Sequence, residues 1–309
     1  MSAVMDGRRA CLVDAFTAEP YAGNAAGVVP DADDLTAAQM QAIARELSAS
    51  ETAFLAASDD ADRRIRYFTP TQEVDLCGHA TIASHALLAA DGVIEPGAHT
   101  LETEVGVLDI ELQDDGVVWM TQSRPEVETL EITYDRLADA LGIDPARLRD
   151  VGADLPVARA TTGLPYLIVP VNFLEALSGV RPDLQAIEAL TDEYDATGIY
   201  AFTFDTLESE STLHARMFAP GAGVDEDPVT GTASGACGAY LDSYEAFDSM
   251  PDDLRFEQGH FVDRGGIVHV DISVDDRGRK QVSVGGEASV ALDGTLQVPD
   301  IEDDEIIEA

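Results

Sequence analysis

Arg66-Tyr67-Phe68-Thr69-Pro70 and Arg216-Met217-Phe218-Ala219-Pro220 are one frame written twice in a chain of 309 residues. Arg, Phe and Pro recur at an offset of 150, as do Val74/Val224 and Asp75/Asp225. After a three-residue slip the match resumes with Gly78/Gly231, Ala80/Ala233, Ala83/Ala236, Ala86/Ala239 and Leu88/Leu241. A fainter echo pairs Thr17, Pro20 and Tyr21 with Thr162, Pro165 and Tyr166. Alanine-rich helices can match by composition alone, but an Arg-x-Phe-x-Pro frame leading into Gly does not arise that way. The chain reads as two related halves, each a strand, a loop and then a helix.

The two repeated helices, 79–90 and 231–241, carry Ala, Gly, Ile, Leu and Cys on every side. A helix that is apolar all round is buried all round. Short β-rich runs surround each of them, at 63–69, 100–112, 117–121, 166–171, 199–205, 213–218 and 267–274. The expected fold is therefore α/β (α+β): two pseudo-symmetric domains, each a β-barrel-like sheet wrapped around a central helix. The first half is expected over 1–125 with a returning strand near 295–298, which brings 295–309 with it; the second spans 126–294. Pro125 and a run of acids mark the boundary within 122–133, and the acidic tail 300–309 is expected to fray. Outside the repeat, 36–47 predicts an amphipathic helix, with a Thr36/Gln39 capping box and Met40, Ile43, Ala44 and Leu47 on one face. A strand is expected at 51–57 and a further surface helix at 182–190.

Composition narrows the function. The chain has 59 Asp+Glu against 18 Lys+Arg, a formal charge of −41, and 45% hydrophobic residues, enough for a core and too many for disorder. Such a charge repels phosphate backbones and anionic lipid, so neither nucleic acid nor membrane is an expected partner. The longest apolar stretches, such as 164–171, fall far short of a membrane span. The N-terminal residues show no signal peptide, and the expected location is cytoplasmic. Lys280 is the only lysine among the 18 basic residues, and the acids are spread from Asp31 to Glu308. That surface suits concentrated salt, where charge repulsion is screened within a few ångströms; an acidic docking face would cluster its acids.

Cys11, Cys77 and Cys237 lack C-x-x-C spacing and a histidine at zinc-ligand spacing, so neither a disulfide framework nor a structural metal is expected. Lys280 lies in the turn-like Asp276-Arg277-Gly278-Arg279-Lys280, a poor place for a Schiff base. Phosphate-loop, dinucleotide and G-x-S-x-G signatures are missing.

Both repeats place polar residues at the start of a buried helix, where unpaired N–H groups and the positive dipole end favour an anion such as a carboxylate. The residues concerned are Gly78, His79, Ala80 and Thr81 in one half, and Asp227, Thr230, Gly231, Thr232 and Ala233 in the other. His79 is either a helix-start residue tied to backbone or an acid–base group. Asp227 precedes Pro228 and could simply cap a turn; its neighbours Asp225 and Glu226 look the same, and the residues alone do not rank the three. Glu51 opens a strand whose same-face neighbours are Ala53 and Leu55, an apolar setting that suits a general acid–base, yet most of the 59 acids are surface groups. Cys77 is a second possible base or a packed thiol.

The stretches Asp14-Ala15-Phe16-Thr17 with Gly23-Asn24, Leu47-Ser48-Ala49-Ser50-Glu51-Thr52, Phe68-Thr69-Pro70 with Cys77-Gly78-His79-Ala80, and Phe218-Ala219-Pro220 with Glu226-Asp227-Pro228-Val229-Thr230-Gly231-Thr232-Ala233 resemble the PhzF phenazine-biosynthesis family, in the family's order and from about residue 11 to 298. The resemblance implies the diaminopimelate-epimerase-like fold, a homodimer and no cofactor. It implies that Glu51 is the catalytic acid–base, with His79 and Asp227 as active-site residues, and that Gly78, Ala80, Thr230, Gly231 and Thr232 bind substrate. Thr232 stands where the phenazine enzyme has serine, and Asp263-Arg264-Gly265-Gly266 departs from the family's frequent Gly-Arg-Pro-Ser after a Gln-Gly like Gln258-Gly259. The implied chemistry is isomerisation of a small unsaturated carboxylic acid by moving one proton in an interdomain cleft. The rival on the same fold is a cofactor-independent amino-acid racemase or epimerase, which needs two bases; Cys77 offers one, and Cys237 lies deep in its helix. A non-catalytic small-molecule-binding protein is the third reading.

Overall fold

A computed structural model of the chain describes residues 7–149, 151, 155–251, 253–275 and 277–301. Asp276 of the basic turn and residues 302–309 of the acidic tail lie outside the described residues. The chain divides into two compact units, Met1–Met120 with Gly286–Ala309, and Thr121–Gly285. Among the described residues, no helix is long and apolar enough to cross a membrane.

The first unit runs β1 (Gly7–Ala15), β2 (Asn24–Val29), α1 (Ala37–Leu47), β3 (Glu51–Ala56), β4 (Arg63–Phe68), β5 (Glu73–Val74), α2 (Gly78–Ala90), β6 (Gly97–Thr103), β7 (Gly106–Leu112) and β8 (Val118–Thr121). The last strand of the chain, Ala288–Gln297, returns to pair antiparallel with β1. From that strand the order is β1, β2, β3, β4, β6, β7, β8, with β2–β3 and β4–β6 parallel and the other pairs antiparallel.

The second unit runs β9 (Glu126–Thr129), α3 (Tyr134–Leu141), β10 (Ala158–Thr161), β11 (Pro165–Pro170), α4 (Leu174–Ser178), α5 (Leu184–Glu193), β12 (Gly198–Thr203), β13 (Leu213–Ala219), β14 (Val224–Asp227), α6 (Gly231–Ser243), β15 (Leu254–Gln258), β16 (Gly266–Val274) and β17 (Lys280–Gly286). Its order is β9, β10, β11, β12, β13, β15, β16, β17, again with only the third and fifth pairs, β11–β12 and β13–β15, parallel. The duplicated frame is thus a duplicated topology.

In each unit the helix that follows the Arg-x-Phe-x-Pro strand is the buried one. Helix α2 rests against β1, β2, β3 and the last strand, and α6 against β9, β10, β11 and β16. Ala80 to Leu88 of α2 is buried except for Ala86, and α6 is buried from Ala233 to Leu241. Small residues are what a sheet on all sides requires: a Cβ at Gly238 would lie 2.6 Å from Val270 Cγ1, and one at Gly235 would strike the Gln122 side chain. The connections between the parallel neighbours carry the outer helices. Helix α1 has the expected capping box and buries Met40, Ile43 and Ala44 against Val29, Phe54 and Phe68.

The local reading differs in three places. The run 100–112 is a hairpin, turned where Thr103 Oγ1 donates to the carbonyl of Gly106 and Gly106 takes φ +122°. The helix expected at 182–190 begins after its N-cap Asp183, whose carboxylate accepts the N–H groups of Gln185 and Ala186, and continues to Glu193. The slip in the repeat comes earlier than the sequence match suggests. Phe68 and Tyr67 face Glu73 and Val74, whereas Met217 faces Asp227. A 3-10 turn, Pro220–Ala222, supplies the extra residues before β14. Glu73 therefore corresponds to Glu226, and His79 to Thr232.

Candidate active site

In the first unit the parallel pairing of β2 with β3 sets Glu51 opposite Ala26 at the start of β3. The N-terminus of α2 brings His79 to it. Glu51 Oε2 lies 3.4 Å from His79 Nε2, with side-chain exposures of 24% and 12%, so the pair is sheltered but reachable. Ser50 Oγ is 3.3 Å from the same nitrogen, and Cys77 Sγ is 3.4 Å from His79 Nδ1. Donor atoms of Glu51, Cys77 and His79 all lie within 4.8 Å of one another. They are a carboxylate, a thiol and an imidazole, the side chains that move protons and equally those that ligate a divalent transition ion.

Cys77 is the N-cap of α2 and makes no side-chain cap, so the first N–H groups, those of Gly78, His79 and Ala80, have no acceptor within the helix. A side chain at Gly78 would meet nothing within 4 Å, which leaves open space beside the helix start. Behind it, Tyr67 Oη is 2.6 Å from Thr81 Oγ1, and Thr81 Oγ1 donates to the carbonyl of Cys77 over 2.7 Å. Burial pushes the Tyr67 phenol well up, so it remains protonated and acts as a brace, not a base.

In the second unit β14 ends at Asp227 and α6 begins after Thr230. The three consecutive acids part company here. Asp225 is exposed. Glu226 takes a two-pronged ion pair from Arg216, at 2.8 and 2.7 Å, and Arg216 also donates to the carbonyls of Leu177 and Val180. Asp227 instead accepts a short hydrogen bond from Thr230 Oγ1. Gln258, in sequence only half of a Gln-Gly signature, holds this corner together. Its Nε2 donates to the carbonyl of Asp227 (2.8 Å), its Oε1 accepts the N–H of Thr230 (3.1 Å), and Nε2 also lies 3.1 Å from Thr230 Oγ1. Thr232 Oγ1 is 2.9 Å from Tyr166 Oη, and its carbonyl accepts from Thr162 Oγ1 at 3.3 Å. Thr162 and Tyr166 belong to the fainter sequence echo, the one signal that marked them.

Within the first unit, then, Glu51, His79, Gly78 and Ala80 gather at one helix start, with Cys77 and Ser50 beside them. Within the second, Asp227, Thr230, Gly231 and Thr232 gather at the other, with Gln258 and Tyr166. Cys237 is fully buried in α6, and burial pushes its thiol well up, which leaves it inert as a base.

Known proteins resemble this chain along most of its length. The chain matches the family model described as phenazine biosynthesis-like protein, PhzC-PhzF, over residues 13–294. It is 37% identical over 287 residues to a Bacillus subtilis (strain 168) protein described as the uncharacterized isomerase YfhB, covering 91% of this chain and 93% of that one. A crystal structure of the Bacillus anthracis phenazine biosynthesis protein of the PhzF family superposes with a TM-score of 0.88 at 33% identity, covering 95% of this chain and 100% of that one. A hydroxyproline epimerase from Agrobacterium vitis, with bound trans-4-hydroxy-L-proline, superposes with a TM-score of 0.61 at 14% identity over 97% of this chain and 95% of that one, a likeness of fold alone. The fold is the diaminopimelate-epimerase-like one that the resemblance implied.

Proposed function

The chain belongs to the phenazine biosynthesis-like (PhzC-PhzF) family and is an isomerase, and we propose that it moves one proton within a small unsaturated carboxylic acid, with Glu51 as the acid–base. The observation that carries this reading is the Glu51–His79 pair at 3.4 Å, set at the first turn of α2. There a carboxylate that can move a proton lies beside unpaired N–H groups that can hold an anion. Glu51 takes a proton from a saturated carbon next to the double bond. The electron pair spreads into the conjugated acid, the double bond shifts, and Glu51 delivers a proton, partly exchanged with solvent while it rests on the carboxyl, to the far carbon, so atoms and electrons balance without an oxidant.

His79 and Asp227 orient the substrate's polar groups. Gly78, Ala80, Thr230, Gly231 and Thr232 bind its carboxylate, and exclusion of water during the transfer keeps the carbanion-like state from being quenched. Side chains alone suffice for this transfer, so we take the enzyme to need no cofactor. We further take it to work as a cytoplasmic homodimer in concentrated salt, the last on the strength of its charge balance.

The test is deuterium incorporation in D₂O at high salt, followed by NMR over a panel of small unsaturated and amino carboxylic acids. Wild type should label one compound, and Glu51→Gln should slow that labelling by at least about 100-fold, the lower end of what a general acid–base contributes. Equal labelling by both proteins would sink the assignment of Glu51. One observation favours the epimerase alternative: Cys77 Sγ lies 3.4 Å from His79 Nδ1, a second proton-moving group in the same cluster. Labelling that survives Glu51→Gln and disappears in Cys77→Ala would select that reaction.

A further inference from the structure

On the second unit, a cluster that the proton-transfer chemistry does not use lies across β15 from Gln258. Neighbouring strand residues point to opposite faces, so Glu257 turns away from Asp227 and Thr230. Glu257 and His214 are register partners in the parallel pair β13–β15, which places their side chains side by side. Both are fully buried. Gly259, at φ +86°, and the 3-10 turn His260–Val262 then bring the chain back, so that His260 Nδ1 sits 3.1 Å from His214 Nε2. Gly265 is what makes room for this: a Cβ there would lie 2.6 Å from His260 Nε2. The ring of Phe261 closes one side, 4.9 Å from the His214 ring. Donor atoms of His214, Glu257 and His260 all lie within 4.8 Å of one another.

Packing alone leaves one feature of this cluster unaccounted for. Glu257 accepts N–H bonds from Leu207 (2.8 Å) and Glu208 (2.7 Å), yet among the described residues it pairs with no lysine or arginine. A buried carboxylate without a counter-charge is costly.

We propose that His214, Glu257 and His260 form a binding site for a divalent first-row transition ion, with zinc(II) as the ion of choice. The ligand set is two neutral imidazoles and a carboxylate, types that suit zinc. Two nitrogens 3.1 Å apart subtend roughly 100° at an ion with bonds of 2.0–2.1 Å, close to tetrahedral. The ion supplies the counter-charge that Glu257 lacks, and the backbone N–H groups of Leu207 and Glu208 hold the carboxylate in place, as outer hydrogen bonds to metal ligands do. Half-buried His260 leaves a side open for entry and for a water as fourth ligand. The site fastens the turn behind Gln258, and Gly259 in that turn is packed so closely on the carbonyl of Pro228 that a Cβ would fall 2.6 Å from it. Its role is to stiffen the second unit, and it stands or falls independently of the reaction proposed for Glu51.

The experiment uses tag-free full-length protein, stripped with chelator and titrated with Zn²⁺ against a chromophoric competitor. Molar KCl suppresses weak binding to surface carboxylates. Because Glu51, Cys77 and His79 form a rival ligand set, a Cys77→Ala/His79→Ala variant is titrated in parallel. One equivalent should bind wild type and this variant alike. In His260→Ala the affinity should fall by more than about 100-fold, beyond the loss from merely removing an outer hydrogen-bond partner. Zn²⁺ should raise the melting temperature of wild type but not of His260→Ala. Co²⁺-loaded wild type should show d–d bands without a thiolate charge-transfer band, a readout that needs no variant to fold. Wild type that takes up no Zn²⁺ saturably at micromolar concentration overturns the site. So does a strong thiolate band, or uptake that is lost in Cys77→Ala/His79→Ala and kept in His260→Ala.

Discussion

Asp225, Glu226 and Asp227 carry the same charge on adjacent residues, and their surroundings differ in all three. Asp225 is exposed, Glu226 is locked to Arg216, and Asp227 meets Thr230 at the start of α6. Asp225→Asn should leave activity unchanged and shift stability by no more than about 0.5 kcal/mol. Glu226→Gln strands Arg216, whose side chain is 7% exposed, and should cost about 3 kcal/mol in urea unfolding while the folded fraction keeps its turnover. Asp227→Asn should unfold near the wild-type midpoint and lose turnover by roughly 100-fold. Turnover lost equally in Asp225→Asn and Asp227→Asn would remove the distinction. Nothing local in the sequence separates the three, because each is defined by a partner elsewhere in the chain. The repeat did hold a clue: Arg66 pairs with Glu73 as Arg216 pairs with Glu226, and each arginine stacks on the Phe two residues on, at 5.1 Å. Placing the slip before Glu73 matches Glu226 to the ion-paired Glu73 and leaves Asp227 as the candidate for chemistry. Gln258 gave no such signal, since its partners lie about 30 residues earlier and face it only through the ladder.

At the scale of elements, α2 and α6 were legible because burial on every side leaves a compositional mark that no surface helix shows. Helix α1 was legible from its capping box. Helix α3 was not among the expected elements, although Leu137, Ala138, Ala140 and Leu141 are its buried residues and Gly142 ends it in the left-handed region, φ +66°. The hairpin turn at Glu104–Val105 was harder to read, because a single strand and two short ones share the same alternation and only Gly106 marks the break. Burial inside α2 also has a consequence for pH. His85 is 2% exposed, and its Nδ1–H donates to the carbonyl of Thr81 over 2.9 Å. Burial, with smaller contributions from His99 and Arg63, pushes its pKa down from 6.5 to about 4. The unfolded chain therefore binds the extra proton between those values, and stability contributed by neutral His85 is present above pH 6.5 and lost as pH falls through about 4. The loss should be on the order of 3 kcal/mol. Repulsion among 59 acids works the other way, since protonating them relieves it. The measurement is thus a comparison: urea midpoints of wild type and His85→Gln from pH 4 to 7 should converge toward low pH. Parallel curves across that range would show that His85 does not carry the dependence.

For the molecule as a whole the deciding quantity is the charge balance. If every one of the 18 basic residues neutralised an acid, 59 − 18 = 41 carboxylates would still have no partner. The pairs that do form are mostly at the surface, such as Arg136–Glu193 and Arg64–Glu104, and exposed pairs contribute little each. Repulsion among the remaining acids is long-ranged at low salt, with a screening length of about 10 Å at 0.1 M, and nearly vanishes at about 3 Å in 1 M salt. The fold should therefore tighten as salt is added. Between 0.1 M and 2 M KCl the melting temperature should rise by about 10 °C, the shift that roughly 3–5 kcal/mol produces in a protein of this size. Salt also strengthens apolar burial by exclusion from the surface, so the control is sucrose at matched osmolarity, which is excluded but does not screen. A rise with KCl several times larger than with sucrose assigns the effect to charge. An equal rise in both assigns it to exclusion, and a melting temperature that stays flat or falls with KCl would show that this acidic surface is not an adaptation to salt, and would favour the rival reading of the acids as a docking face for a basic partner.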